Sequence, residues 1–291
     1  MERAVAFIGF GEAGAALSGS VPARGYDRKT DDAATRTAKL SDFAAAGVTP
    51  CLDAAAAVAD AAIVLSLVTA DQQLAAARAA APHLAAGALF LDGNSVAPDA
   101  KRQAARLVEA AGGRYVDVAV MAPVHPARRA VAMLVSGPHA LDGKAALEAA
   151  GMTKVTIAQG GVGAASSIKM IRSIVVKGIE ALTAECVLAA REAGVLDEVL
   201  ASLDASPPPA TWAERADYNL DRMIVHGGRR AAEMAEVVRT LDALGTRSAM
   251  SRATMVYQHA IGAVGLAAPG GPPKGLDAKL ALLLARQDQG A

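Results

Sequence analysis

Along the first 160 residues, short apolar runs alternate with alanine-rich segments whose apolar positions recur at helical spacing. The apolar runs predict strands at 4–9, 24–27, 48–51, 62–67, 88–91 and 114–120. Helical segments at 13–20, 33–45, 54–59, 71–80 and 99–111 separate them. This alternation demands crossover connections, and so a mostly parallel sheet with helices on both faces. A hairpin-like tail follows, with a strand at 131–135, a helix at 140–149 and a strand at 154–158. After Gln159 the strand runs stop, and the rest reads as helix interrupted by DASPPPATW and PGGPPKG. The expectation is an α/β doubly wound parallel sheet over residues 1–160, followed by an all-α domain over 161–291. The final helical run, LDAKLALLLAR, closes that domain or docks on a partner subunit.

A chain of 291 residues is long enough for two such domains. Hydrophobic residues make up 53% and aromatics only 3%, so the apolar content is largely alanine and helices should pack through small side chains. Lys plus Arg and Asp plus Glu both number 29, which argues against nonspecific nucleic-acid binding but leaves room for a local cationic pocket. The two cysteines cannot form a disulfide framework, and no Cys or His spacing suggests a metal site. The opening AVAFIGF is strand-like and unlike a signal peptide. No uncharged run approaches the roughly 20 apolar residues of a membrane span. These features lead to the expectation of a cytoplasmic protein with a small-molecule substrate.

Within FIGFGEAGAALS, Gly9, Gly11 and Gly14 form G-x-G-x-x-G at the first strand-to-helix turn. Gly9 allows the tight turn, Gly11 lets the backbone approach a pyrophosphate, and Gly14 lets helix and strand pack closely. Such a turn, with Glu12 and Ala13 inside it, predicts a Rossmann-type dinucleotide site. Asp27 stands near the end of the second strand, where a carboxylate binds the adenine ribose of NAD. Arg28 and Lys29 follow at once and could instead hold the 2′-phosphate of NADP. The cofactor is expected to be NAD or NADP, with Asp27 tipping the reading toward NAD. Val68 and Thr69, at the end of the fourth strand, are further cofactor contacts or an ordinary strand-end turn.

GVGAASSIKMIRS leads into the longest helical run. On a helix, Ser166, Lys169, Ser173, Lys177 and Glu180 share one face. One reading is an amphipathic helix with a solvated stripe. The other is a site: Gly160, Gly161, Gly163, Ala164 and Ala165 suit close approach of a ligand or another backbone, at a domain boundary.

With these residues on the page, the chain resembles the β-hydroxyacid dehydrogenases, which include 3-hydroxyisobutyrate dehydrogenase and 6-phosphogluconate dehydrogenase. It resembles more closely those relatives with a distinctive phosphogluconate-dehydrogenase-like C-terminal domain, through DVAVMAP, SSIKM-x-RS and VHG-x-RR. The resemblance implies that Lys169 is the catalytic lysine, with Ser173 where the family has asparagine. It implies that Asn94 and Ser95, in LDGNSVAPD, orient substrate or nicotinamide. Met121, Ala122 and Pro123 replace the Ser-Gly-Gly that normally underlies the substrate carboxylate, giving a more apolar cradle. Arg172, His226 and Arg229 are candidates to supply anion contacts, His226 and Arg229 at an expected helix kink. Arg128, Arg129 and Arg230 read as surface arginines.

The implied function is an NAD(P)-dependent oxidoreductase acting on the hydroxyl carbon of a small hydroxy acid or related alcohol. Lys169 is its general acid/base, made competent by desolvation and by neighbouring cations such as Arg172. The resemblance also implies a homodimer through the helical domain. Two other readings stand beside it: an NADPH-dependent imine or ketone reductase, suited to the apolar loop, and a noncatalytic dinucleotide-binding protein.

Overall fold

The structure, a computed structural model, describes residues 5–19, 22–192, 194–205, 211–243, 248–266 and 272–287. It divides into two compact units, Met1–Met170 and Ile171–Ala291. The division falls ten residues beyond the expected boundary at 160, and hydrogen bonds to the sheet from residues 163, 165 and 166 give the reason.

The first unit runs β1 (Val5–Ile8), α1 (Glu12–Leu17), β2 (Ala23–Tyr26), α2 (Ala33–Ala45), β3 (Val48–Pro50), α3 (Ala54–Val58) and β4 (Ile63–Ser66). It continues with α4 (Gln73–Ala80), β5 (Leu89–Asp92), α5 (Pro98–Ala110), β6 (Arg114–Val120), β7 (Met133–Ser136), α6 (Ala140–Ala149) and β8 (Val155–Ile157). The eight strands form one sheet in the order β3-β2-β1-β4-β5-β6-β7-β8. Among these pairings only β6–β7 is antiparallel, as the hairpin-like tail predicted. Successive side chains of a strand face opposite sides. Val5 and Phe7 accordingly join a core with Leu17 of α1, Phe43 of α2 and Leu147 of α6. Ala6 and Ile8 join another with Val58 of α3, Ala77 of α4 and Val108 of α5. The doubly wound architecture is therefore present, with a core on each face.

α7 (Ala164–Glu192) begins in the first unit and continues in the second, which adds α8 (Leu196–Asp204), α9 (Trp212–Ala243), α10 (Ala249–Leu266) and α11 (Leu276–Gln287). Much of DASPPPATW and the start of PGGPPKG lie outside the described residues. At IVHGGRR, where a kink is expected, α9 runs without interruption from Trp212 to Ala243. Gly227 there serves packing. A Cβ on Gly227 would lie 2.7 Å from the Gly262 Cα, and one on Gly262 would lie 2.5 Å from the Gly228 nitrogen. Backbone meets backbone where α9 crosses α10.

The face of α7 that reads as a solvated stripe is turned inward. Ser173, Lys177 and Glu180 are buried, while Ile171, Val175, Ile179 and Leu182 are exposed, Val175 at 62%. Burial of the charges follows from partners within the second unit: Lys177 pairs with Glu233 at 2.8 Å, and Glu180 pairs with Arg230. Gln258 donates to Glu180 at 2.9 Å. Arg230, expected on the surface, is 4% exposed, and burial pulls its guanidinium pKa down despite the opposing pull of Glu180.

The adjacent glycines of α9 should respond oppositely to alanine. Gly262→Ala and Gly227→Ala force helix backbones apart and should destabilise by about 1–3 kcal/mol. Gly228 has open space around a Cβ, so Gly228→Ala should stabilise by up to about 1 kcal/mol through helix propensity. Urea unfolding of the three variants checks this, and equal effects at 227 and 228 would refute the packing argument.

Candidate active site at the carboxyl edge of the sheet

At the end of β1 each glycine of the G-x-G-x-x-G turn has its own reason. Gly9 has φ +82°, and a Cβ there would lie 2.6 Å from the Leu67 carbonyl oxygen and from a Val68 methyl. Gly14 has no room either, because its Cβ would lie 2.9 Å from the Phe10 ring. Gly11 is exposed, with nothing within 4 Å of a Cβ. It is the N-cap of α1 and supplies no side-chain bond to the first helical amides. Glu12 beside it is exposed and Ala13 half-buried.

The turn is braced from below. The Phe10 amide donates to Asp27 Oδ2 at 2.8 Å, and the Phe10 carbonyl accepts from Lys39 Nζ at 2.8 Å. The other Asp27 oxygen accepts from the Lys29 amide at 2.9 Å. Asp27, 9% exposed, thus holds the glycine turn, whereas Arg28 and Lys29 after it are exposed. The Tyr26 phenol donates to Asp31 at 2.6 Å. Burial, then that carboxylate, pushes its pKa up to about 12.

Across the carboxyl edge of the sheet runs a buried polar row that the sequence reading did not assemble. Register pairs Ser66 of β4 with Asp92 of β5, Asp92 with Asp117 of β6, and Asp117 with Ser136 of β7. All four are fully buried. Two carboxylates side by side repel, and buried charge is costly unless paired. Lys101 of α5, also fully buried, answers both: its Nζ lies 2.9 Å from Asp92 Oδ1 and 3.4 Å from Asp117 Oδ1. It also donates to the Asp92 carbonyl at 2.6 Å. Gln73 and Tyr115 donate to Asp92 Oδ2, each at 2.6 Å. Burial, then Asp92, holds the Tyr115 phenol well above its ordinary pKa, so it stays a neutral donor.

From this row two segments are positioned. Asp117 Oδ2 accepts from the amides of Gly163 at 3.1 Å and Ser166 at 3.0 Å, and Oδ1 accepts from the Ser166 hydroxyl at 2.6 Å. Ser136 Oγ donates to Asp117 Oδ2 and accepts from the Ala165 amide, each at 3.0 Å. The sheet therefore caps the amino end of α7, where the orphan amides and the dipole favour a carboxylate. Gly163 permits this approach: it has φ +100°, and a Cβ would lie 2.9 Å from the Pro98 Cβ. Small residues here serve a backbone approach to α5. The second segment follows β5. Asp92 Oδ1 accepts from the Asn94 amide at 3.0 Å and from Asn94 Nδ2 at 2.8 Å. Asn94 Nδ2 donates to Ser66 Oγ at 2.9 Å, and its Oδ1 accepts from the Val68 amide at 2.6 Å. Asn94, 3% exposed, ties the loop after β4 to the loop after β5.

The two segments meet where Lys169 Nζ donates to Ser95 Oγ. Both residues are half-buried. Val68 is half-buried and Thr69 exposed at the end of β4. Met121 is half-buried after β6, and Ala122 and Pro123 are exposed. In the second unit, Ser173 Oγ accepts from Lys177 at 3.3 Å. Arg172 is exposed, His226 is half-buried, and Arg229 is exposed with Glu233 at 3.8 Å. Among the described residues no group of three or more His, Cys, Asp or Glu could hold a metal ion. None of their helices is long and apolar enough to cross a membrane.

Lys101, Asp92 and Ser136 are the members that sequence reasoning missed, and it gave no role to Asp117 or Ser166, which it met only within motifs and on the Lys169 face. A signal existed. Lys101 shares helical phase with Ala104, Ala105 and Val108, the buried face of α5. Asp117 interrupts an otherwise apolar strand.

Comparison with known proteins agrees with this fold. Residues 4–160, more than half of the chain, match the NAD binding domain of 6-phosphogluconate dehydrogenase, and residues 190–261 match a domain of unknown function (DUF1932). A conserved hypothetical protein from Sinorhizobium meliloti 1021 has a solved structure that is 37% identical, covers 98% of this chain and 97% of its own, and superposes with a TM-score of 0.74. An uncharacterized 28.5 kDa protein of Methanothermus fervidus is 25% identical over 264 residues, 88% of this chain and 98% of that one. The 3-hydroxyisobutyrate dehydrogenase of Mycobacterium tuberculosis, solved with L-serine, shares the fold at 20% identity, with a TM-score of 0.71 over 99% of this chain and 100% of its own.

Removing Asp117 takes the acceptor from the α7 amides and leaves Lys101 half-paired. Asp117→Ala should cost about 3–5 kcal/mol. Ser136→Ala removes one hydroxyl and should cost about 1 kcal/mol. Denaturant unfolding measures both, and a cost for Asp117→Ala no larger than for Ser136→Ala would contradict the network's role.

Proposed function

Because this chain belongs to the family defined by the NAD binding domain of 6-phosphogluconate dehydrogenase, we propose that it is an NAD(P)-dependent oxidoreductase. Its reaction moves a hydride between nicotinamide and the hydroxyl-bearing carbon of a small hydroxy acid or related alcohol. One observation carries the reading: an unbroken line of contacts from the glycine turn to the lysine. Gly9 packs on Leu67 and Val68, the Val68 amide is held by Asn94, and Ser95, next in the chain, is hydrogen-bonded to Lys169.

The turn fits a dinucleotide. The open space over Gly11 and the uncapped start of α1 suit a pyrophosphate, with Gly9, Glu12, Ala13 and Gly14 shaping the cradle. Val68 and Thr69 flank it along the strand ends. Each Asp27 oxygen accepts one hydrogen bond and keeps acceptor capacity for a ribose hydroxyl, which supports NAD, while the exposed Arg28 beside it suits the 2′-phosphate of NADP. The bound dinucleotide supplies or accepts the hydride. Lys169, as a neutral amine, takes the proton from the substrate hydroxyl, and as an ammonium returns it in reduction. Ser95 orients that amine, and Asn94 holds the loop from which Ser95 acts.

The apolar Ala122–Pro123 exposed after β6 supports a second reading, reduction of a ketone or imine, because proline offers no N–H to an anion. The outward apolar face of α7 supports a homodimer formed through the helical unit, with another copy of this chain covering Val175, Ile179 and Leu182. The two cysteines are consistent with a cytoplasmic protein.

Calorimetry with NAD(H) and NADP(H) should show binding that Gly11→Val weakens about tenfold or more without loss of stability. A panel of hydroxy acids, alcohols, ketones and amines read at the nicotinamide absorbance should then reveal turnover that Lys169→Ala lowers by about 100-fold or more. Near-wild-type turnover in Lys169→Ala would reject the mechanism, and tight binding without turnover across the panel would favour a noncatalytic protein. For the dimer, Val175→Asp with Ile179→Asp should shift sedimentation from dimer to monomer. A wild-type chain that sediments only as monomer removes that part of the proposal.

A further inference from the structure

We infer that Lys101 is a positioning residue that couples the loop bearing Ser95 to the helix end bearing Lys169, and so sets the hydrogen bond between them. This rests on the reading of Lys169 as the proton carrier for its functional meaning, though not for its geometry.

The coupling follows from what each partner holds. Asp92 anchors Asn94 through two hydrogen bonds, and Ser95 is the next residue. Asp117 anchors the first turn of α7 through Gly163 and Ser166, and Lys169 lies three residues beyond Ser166 on the same helix. The two carboxylates are register partners on neighbouring strands and would separate by repulsion if left alone. One ammonium lies against both, with no exposure to solvent. Its distances to both carboxylates, and to the Asp92 carbonyl at 2.6 Å, leave little freedom for either strand end to move alone. Lys101 touches neither Ser95 nor Lys169 in any hydrogen bond of the network; it acts through the two acids. The glycine turn has braces of its own, Asp27 and Lys39, and meets this network at Val68, whose amide Asn94 holds.

The test reads Lys169 directly and needs no substrate. Brief labelling of the full-length protein with an amine-reactive acetylating reagent, quantified by peptide mass spectrometry, gives the rate at Lys169 relative to exposed Lys154. Ser95→Ala should raise that ratio about fivefold, the population change that loss of one net hydrogen bond produces. Lys101→Met should raise it by a similar factor. The two changes together should add little to either alone, because both release the same bond. An unchanged ratio in folded Lys101→Met, or effects that simply multiply with Ser95→Ala, would overturn the inference.

If Lys101→Met does not fold, Ser166→Ala with Ser136→Ala loosens the same helix end without altering charge. Its effect on Lys169 should again be non-multiplicative with Ser95→Ala, and multiplicative effects there would overturn the coupling equally. The outcome is independent of turnover. Should Lys169→Ala retain activity, the catalytic reading falls while the labelling result still decides whether Lys101 couples the two segments.

Discussion

Two carboxylates lie side by side inside this protein, shut off from bulk solvent, and the arrangement of the first unit answers that constraint. Asp92 and Asp117 are adjacent in register and fully buried. Burial of unpaired charge costs several kcal/mol per ion, so partners are obligatory. The chain meets the demand with one lysine from α5, a phenol, two amide side chains, serine hydroxyls and the amino end of α7. Each partner arrives on a different segment. Satisfying the acids therefore brings together the loop after β5, the helix of Lys169 and the strand edge.

This explains why the candidate chemistry stands on rigid supports. A lysine near the start of a long helix is a flexible side chain on a stiff rod, and its reach depends on how the rod is seated. Asp117 and Ser136 seat it through three backbone amides, and Pro98 packs against Gly163 at the same turn. The glycine turn has its own braces as well, with the Phe10 amide and carbonyl each pinned by a charged side chain. Two braced elements on one sheet edge, joined through Asn94, suit a reaction between a bound dinucleotide and a second molecule.

The second unit solves a different problem with few aromatics. α9 and α10 approach until glycine backbones touch, which gains contact area from small residues. α7 turns its charges inward because Glu233, Arg230 and Gln258 await them, and that leaves its branched aliphatic residues outside.

By itself the sequence determined the alternation of strand and helix, the glycine turn with a distinct purpose for each glycine, and the change to all-helical composition. These are local: they depend on spacing of 2 or 3.6 residues and on backbone conformations that only glycine adopts freely. Lys169 and Ser95 were legible because each sits in a short motif. Tertiary structure alone decided that Asp92 would lie beside Asp117, since register depends on where neighbouring strands start. It decided that Lys101 would face them, that Asn94 would be a brace, and that Asp27 would hold the turn. It also decided which face of α7 was inside, because a charged stripe is buried or solvated according to partners more than 50 residues away, such as Glu233 for Lys177. Periodicity marks a face; only the charges opposite say which way it turns.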